Sequence, residues 1–71
     1  MPPERLVAMA NQIAGAFAVQ GEARAVAATA EHIHLFWDPR MRAAILAHLD
    51  AGGAGLLPLT IKALQALRAV A

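Results

Sequence analysis

The chain has 71 residues, no cysteine and a formal net charge of +1, with acidic and basic side chains mixed along it. This length allows one domain, and the lack of cysteine excludes disulfides and thiolate-metal sites and fits a reducing, cytoplasmic compartment. Because no basic block or stripe is present, nucleic-acid binding has no electrostatic support.

Apolar residues are abundant, and their abundance indicates a partner. They make up 59% of the sequence although aromatic residues are only 4%, because alanine, the best helix former, supplies the excess. The mean hydropathy of +0.51 is high for so small a chain. A domain of this size is marginally stable by itself, so we expect another protein to cover part of its apolar surface.

The first predicted helix begins at Pro2 or Pro3, because proline is favoured at the first helical position, and it ends near Gly21. Its apolar residues recur at spacings of three and four, which places them on one face. These residues are Leu6, Met9, Ala10, Ile13 and Phe17.

Residues 6–21 of this helix carry no charge, but they predict neither a membrane span nor a signal peptide. The stretch is shorter than a span requires and is interrupted by Asn11 and Gln12. Two adjacent amides in an apolar helix have two explanations. They lie on its outer face, or they contact a partner.

The second predicted helix opens near Glu22 and runs to about Phe36. One face carries Val26, Ala30, Ile33 and Trp37. A stripe of small residues would let a neighbouring backbone approach closely, and it consists of Ala23, Ala27 and Ala30.

The third predicted helix starts at Pro39, with Asp38 as its N-cap, because proline disfavours helix at the residue before it. It runs to about Asp50 and is ended by Gly52 and Gly53, since glycine adopts the left-handed conformation that closes helices. Its apolar face consists of Met41, Ala44, Ile45, His48 and Leu49.

The fourth predicted helix runs from Pro58 to the C-terminus, after a flexible connection over residues 54–57 with two exposed leucines. It is apolar on two sides. One stripe is Leu57, Ile61 and Leu64, and the other is Leu59, Ala63, Ala66 and Val70. Either the alanines merely make the helix look apolar all round, or the helix docks onto another subunit.

These elements predict an all-α protein, with residues 1–71 forming one small, compact bundle of three to four helices. No residue set suggests catalysis or metal binding. His32 and His34 are two residues apart and point to different sides of a helix, whereas helical zinc pairs sit three or four apart. The carboxylates are scattered, so we expect no catalytic residue, no metal and no cofactor in this chain.

Residues 36–42 are the best candidate for a binding site. They include the only tryptophan, Trp37, and two of the six basic residues, Arg40 and Arg42, and these residue types dominate protein interfaces. Both arginines fall in the first turn of a helix, where the dipole disfavours cations. Asp38 or an anionic group of a partner could offset them. A corner in which Trp37 fills the core and the arginines are solvated is the compatible structural explanation.

Three segments resemble the delta subunit of NAD-dependent, molybdenum-containing formate dehydrogenases. They are residues 6–14, residues 31–42, which contain the sequence Phe-Trp-Asp-Pro-Arg-Met-Arg, and residues 48–56. Their order and spacing cover nearly the whole chain. The resemblance implies a non-catalytic accessory subunit that binds the large molybdenum subunit or assists its maturation. It also implies that molybdenum bis-pterin guanine dinucleotide, iron–sulfur clusters, FMN and NAD belong to other subunits.

On this interpretation the expected partner contacts are Trp37, Asp38, Arg40 and Arg42, with Asn11 and Gln12 as weaker candidates. We expect no nucleic-acid or membrane partner. The alternative from a different class is a self-associating helical regulatory protein. It would form a homo-oligomer when isolated and would use its fourth helix against a second copy.

Overall fold

A computed structural model describes residues 2–70 and contains four α-helices in this range. They are α1 (Pro3–Phe17), α2 (Glu22–Phe36), α3 (Pro39–Asp50) and α4 (Pro58–Val70), with a short 3₁₀ turn (Ala18–Gln20) after α1. The described residues include no strand, so the predicted all-α bundle is confirmed. The fourth helix was predicted to reach the C-terminus, but Ala71 lies outside the described residues.

The core lies where the four helices meet, and the largest fully buried apolar side chains come from every helix. They are Leu6, Ile33, Ile45, Leu64 and Leu67. Four residues of the predicted apolar face of α1 pack on this core, namely Leu6, Met9, Ala10 and Ile13, and Val7 and Ala14 are also buried. The fifth, Phe17, is instead half-buried beside His32. On α3 only Ile45 is fully buried, while Ala44, predicted on the same face, is exposed.

The helices α2 and α4 form the most extensive helix pair of the bundle. They run in roughly the same direction, because Lys62 Nζ lies 2.7 Å from Glu22 Oε2 near their starts and Val70 faces the same groove as His34 near their ends. Both helices bury small residues, namely Ala25 and Thr29 on α2 and Thr60 and Ala63 on α4.

The predicted small-residue stripe on α2 is therefore partly wrong. Ala30 is buried, but Ala23 and Ala27 are exposed, and Ala25 lies inside the bundle. Alanine occurs on every side of α2, so helical spacing gives no contrast between faces. The inward face is instead defined by its larger members, Ile33 and Trp37.

The helix α4 occupies a central position even in so short a chain, because it contacts α1, α2 and α3. Thr60, Ala63, Leu64 and Leu67 are buried, and the more exposed apolar residues lie at its two ends, where Leu57 is 47% and Val70 is 69% exposed. The apolar character of α4 is thus explained mainly by packing within the chain.

The predicted end of α3 at Gly52 and Gly53 is confirmed by hydrogen bonds at the start of the connection to α4. Gly53 N–H donates to His48 O at 2.9 Å and Gly52 N–H to Leu49 O at 3.1 Å, which is the Schellman arrangement that ends helices. Leu56, predicted as exposed, is only 9% exposed and joins the core, while Leu57 stays at the surface.

Candidate functional site

The corner between α2 and α3 is built by two helix caps. Trp37 ends α2, with its N–H donating to Ile33 O at 3.0 Å, and has an extended backbone. Asp38 Oδ1 accepts a hydrogen bond from Met41 N–H at 2.9 Å, and Pro39 occupies the first position of α3. The predicted N-cap is therefore confirmed, and the chain turns within two residues.

The side chain of Trp37 points into the core and is only 5% exposed. It belongs to the same buried cluster as Leu6, Ile33 and Ile45. This confirms the structural part of the sequence interpretation, in which Trp37 fills the core. Its predicted contact with a partner stays a prediction.

Arg42 folds back onto the end of α2 instead of facing solvent. Its Nη1 donates to the main-chain oxygen of Trp37 and, at 3.1 Å, to that of His34. These carbonyls lie at the negative end of the α2 dipole, where a cation is stabilised. The end of α2 thus offsets the charge that the first turn of α3 disfavours.

Arg40, in contrast, is exposed and forms no side-chain hydrogen bond or ion pair within residues 2–70. It lines a shallow cleft of about 230 Å³ between the starts of α1 and α3, together with Leu6, Asp38, Met41 and Ala44. Arg40 is therefore the predicted corner residue whose charged group faces outward.

Asn11 joins α1 to the connection before α4. Its Nδ2 donates to Gly55 O at 2.9 Å, and its Oδ1 accepts from Leu57 N–H at 3.1 Å and from Thr60 Oγ1 at 2.8 Å. Asn11 is half-buried, so the outer-face explanation does not hold for it. Gln12 is exposed and has no side-chain hydrogen bond among the described residues.

No local signal in the sequence indicates this role of Asn11, because each of its three hydrogen-bond partners lies more than 40 positions away in the chain.

His48 holds the same connection from the other side. Its Nε2 lies 2.8 Å from Ala54 O, and since a carbonyl oxygen only accepts, Nε2 carries the hydrogen. In residues 2–70 no group of three or more histidine and acidic side chains could hold a metal ion.

A row of ring contacts that the sequence did not predict lies beside the corner. The His32 ring lies 4.7 Å from that of Phe36 and 6.3 Å from that of Phe17. Phe36 is 72% exposed, and its neighbour Leu35 is 62% exposed. Leu35 and Phe36 lie outside the helix face defined by Ile33 and Trp37, and this position was the signal in the sequence that they are exposed.

A second surface depression separates α2 from α4. It has a volume of about 350 Å³ and is lined by Ala27, Ala30, Glu31, His34, Ala66 and Val70.

Among the described helices, none combines the length and apolar character that crossing a membrane requires.

Together these features define a small all-α bundle with a rigid, capped helical corner. The family model for the NADH-dependent formate dehydrogenase delta subunit, FdsD, matches residues 5–64, and the chain belongs to this family. This confirms the resemblance stated from the three sequence segments. No curated protein and no solved structure matches the chain.

Proposed function

We propose that the chain is a non-catalytic accessory subunit of a cytoplasmic NAD-dependent formate dehydrogenase and binds its large molybdenum-containing subunit. The observation that carries this proposal is the family match over residues 5–64, which includes α1 from its third residue, all of α2 and α3 with the corner between them, and the first half of α4. Molybdenum bis-pterin guanine dinucleotide, iron–sulfur clusters, FMN and NAD would then be bound by other subunits.

The use of polar side chains supports a structural role. Asn11, Asp38, Arg42 and His48 all form hydrogen bonds with main-chain groups of the bundle. Each of these contacts caps a helix or holds a connection, so these four polar side chains serve the fold. A partner of the chain would therefore contact mainly its apolar surface and a few exposed charged side chains.

Two modes of action fit such a subunit. A permanent component binds through a lasting apolar interface, whereas a maturation factor binds transiently and could recognise cofactor phosphates through Arg40 and Arg42. Because Arg42 donates to the carbonyls of Trp37 and His34, a phosphate contact would fall mainly to Arg40. This geometry favours the permanent component.

Co-expression of the tagged chain with the other subunits of its complex tests the proposal. Stoichiometric recovery with the large subunit at high salt is the expected result. Recovery with only the cofactor-free large subunit would support the maturation role instead. Recovery of the chain alone, as a stable dimer, would contradict the proposal and favour the self-associating regulatory protein.

A further inference from the structure

The rings of Phe17, His32 and Phe36, together named the aromatic ridge, form a continuous row in which Phe17 and His32 are half-buried and Phe36 is exposed. Its rings follow one another at 6.3 Å and 4.7 Å, which are separations typical of interacting aromatic pairs. Phe36 lies at the outer end of the ridge and is 72% exposed, and Leu35 beside it is 62% exposed. Single exposed apolar residues are ordinary, but two large adjoining ones continuous with further rings form a patch.

The ridge stands on a rigid support. Phe36 is the last residue of α2, and the next residue, Trp37, is anchored in the core. Arg42 binds the carbonyls at this end of α2, and Asp38 caps the helix that follows. A partner that binds Phe36 therefore has little backbone freedom to remove, which favours tight association.

Arg40 is an exposed cation that follows the ridge closely in the chain. It lies four residues after Phe36, so the two Cα atoms are at most about 14 Å apart. Arg40 sits at the positive end of α3 and has no ion pair within residues 2–70. Asp38 lines the same cleft, but one of its carboxylate oxygens is engaged by Met41 N–H. An acidic side chain opposite Arg40 would complement this charge.

We infer that the aromatic ridge, with Leu35 and Arg40, is the surface through which the chain binds a neighbouring subunit of its formate dehydrogenase complex. The occupant is a protein surface with an apolar pocket for Phe36 and a carboxylate for Arg40. A free phosphate would satisfy Arg40 alone and leave the apolar side chains in water. This inference rests on the proposed function and assigns its contact surface.

Affinity measurements on the assembled complex test the inference. The remaining subunits are immobilised, and the dissociation constants of the wild-type chain, Phe36→Ala and Arg40→Glu are measured at low and high salt. We expect Phe36→Ala to weaken binding roughly 30-fold, as for a buried interface anchor. We expect Arg40→Glu to weaken it about 10-fold at low salt and less at high salt, because salt screens the exposed pair.

Two variants serve as matched controls. Leu57→Ala truncates another exposed apolar residue at the start of α4, near the start of α2 and away from Phe36. Arg24→Glu reverses an exposed charge about 18 Å from Phe36 along α2. Both should bind like the wild-type chain, and circular dichroism should show all four variants to be folded.

The outcomes separate the two claims. If Phe36→Ala and Arg40→Glu bind with wild-type affinity, or if their controls lose as much affinity as they do, the aromatic ridge is not the contact surface. The accessory role would remain intact in that case. Failure of the wild-type chain to bind the other subunits would overturn the accessory role itself. A free chain that dimerises and is made monomeric by Phe36→Ala would assign the ridge to a second copy and so contradict the inference.

Discussion

The amide oxygen of Asn11 accepts a hydrogen bond of 2.8 Å from the hydroxyl of Thr60, which lies 49 positions later in the chain. The same amide group bonds to the main chain at Gly55 and Leu57. One polar side chain in an apolar helix therefore connects the first helix to the last.

Replacing Asn11 should destabilise the bundle. Asn11→Ala removes the acceptor of Leu57 N–H and Thr60 Oγ1 and the donor to Gly55 O. Because these groups are only partly solvated, we expect the free energy of unfolding to fall by about 2 kcal/mol. Urea unfolding followed by circular dichroism measures it. Gln12→Ala, the control at the exposed neighbouring amide, should change it by less than about 0.5 kcal/mol.

The two corner arginines should differ in their effect on stability. Arg42→Met removes the cation that binds the end of α2, and we expect a loss of about 1–2 kcal/mol. Arg40→Met, the same change two residues earlier, should leave the unfolding free energy within about 0.5 kcal/mol. Thermal and urea unfolding of both variants provide the comparison. Equal losses would mean that Arg42 does not act as a cap.

Replacing each of the two buried threonines by valine should change the stability of the bundle in opposite directions. Thr29 is 0% exposed and its hydroxyl has no hydrogen-bond partner within the described residues, so Thr29→Val should stabilise the bundle by about 1 kcal/mol. Thr60 is equally buried, but its hydroxyl donates to Asn11, so Thr60→Val should destabilise by about 1 kcal/mol. Melting temperatures that shift in the same direction would contradict this assignment.

Two glycines should respond differently to alanine. Gly55 has a φ of +84°, and an added Cβ would lie 3.4 Å from Val7 Cγ1. We expect Gly55→Ala to lower the unfolding free energy by about 1–2 kcal/mol, because side chains disfavour this conformation. Gly15 lies inside α1 with open space around its Cβ position, so Gly15→Ala should raise it by about 0.5–1 kcal/mol. Chemical denaturation midpoints distinguish the two outcomes.

Helix positions were predictable because their signals are local. Prolines open α1, α3 and α4, the Asp38 carboxylate caps α3, and Gly52 and Gly53 end it. Each signal acts through the conformation of the residue itself or through a hydrogen bond within a few residues.

The inward faces of α2 and α4 were less predictable. Alanine surrounds α2, so Ala25 and Ala27 look alike in the sequence although one is buried and the other exposed. A face without contrast in size or polarity is chosen by the partner helix against which it packs. Leu56 and Leu57 lie in the connection before α4, and their different burial depends on how this connection packs against the bundle.

The sequence by itself determined the helices, their caps and the family, and it directed attention to the corner around Trp37. Only the tertiary structure decided that Arg42 folds back onto the end of α2 while Phe36 and Arg40 face outward. It also decided that Asn11 binds the start of α4. The physical reason is range. Capping and propensity act over a few residues, whereas side-chain direction and long-range hydrogen bonds depend on how whole helices pack.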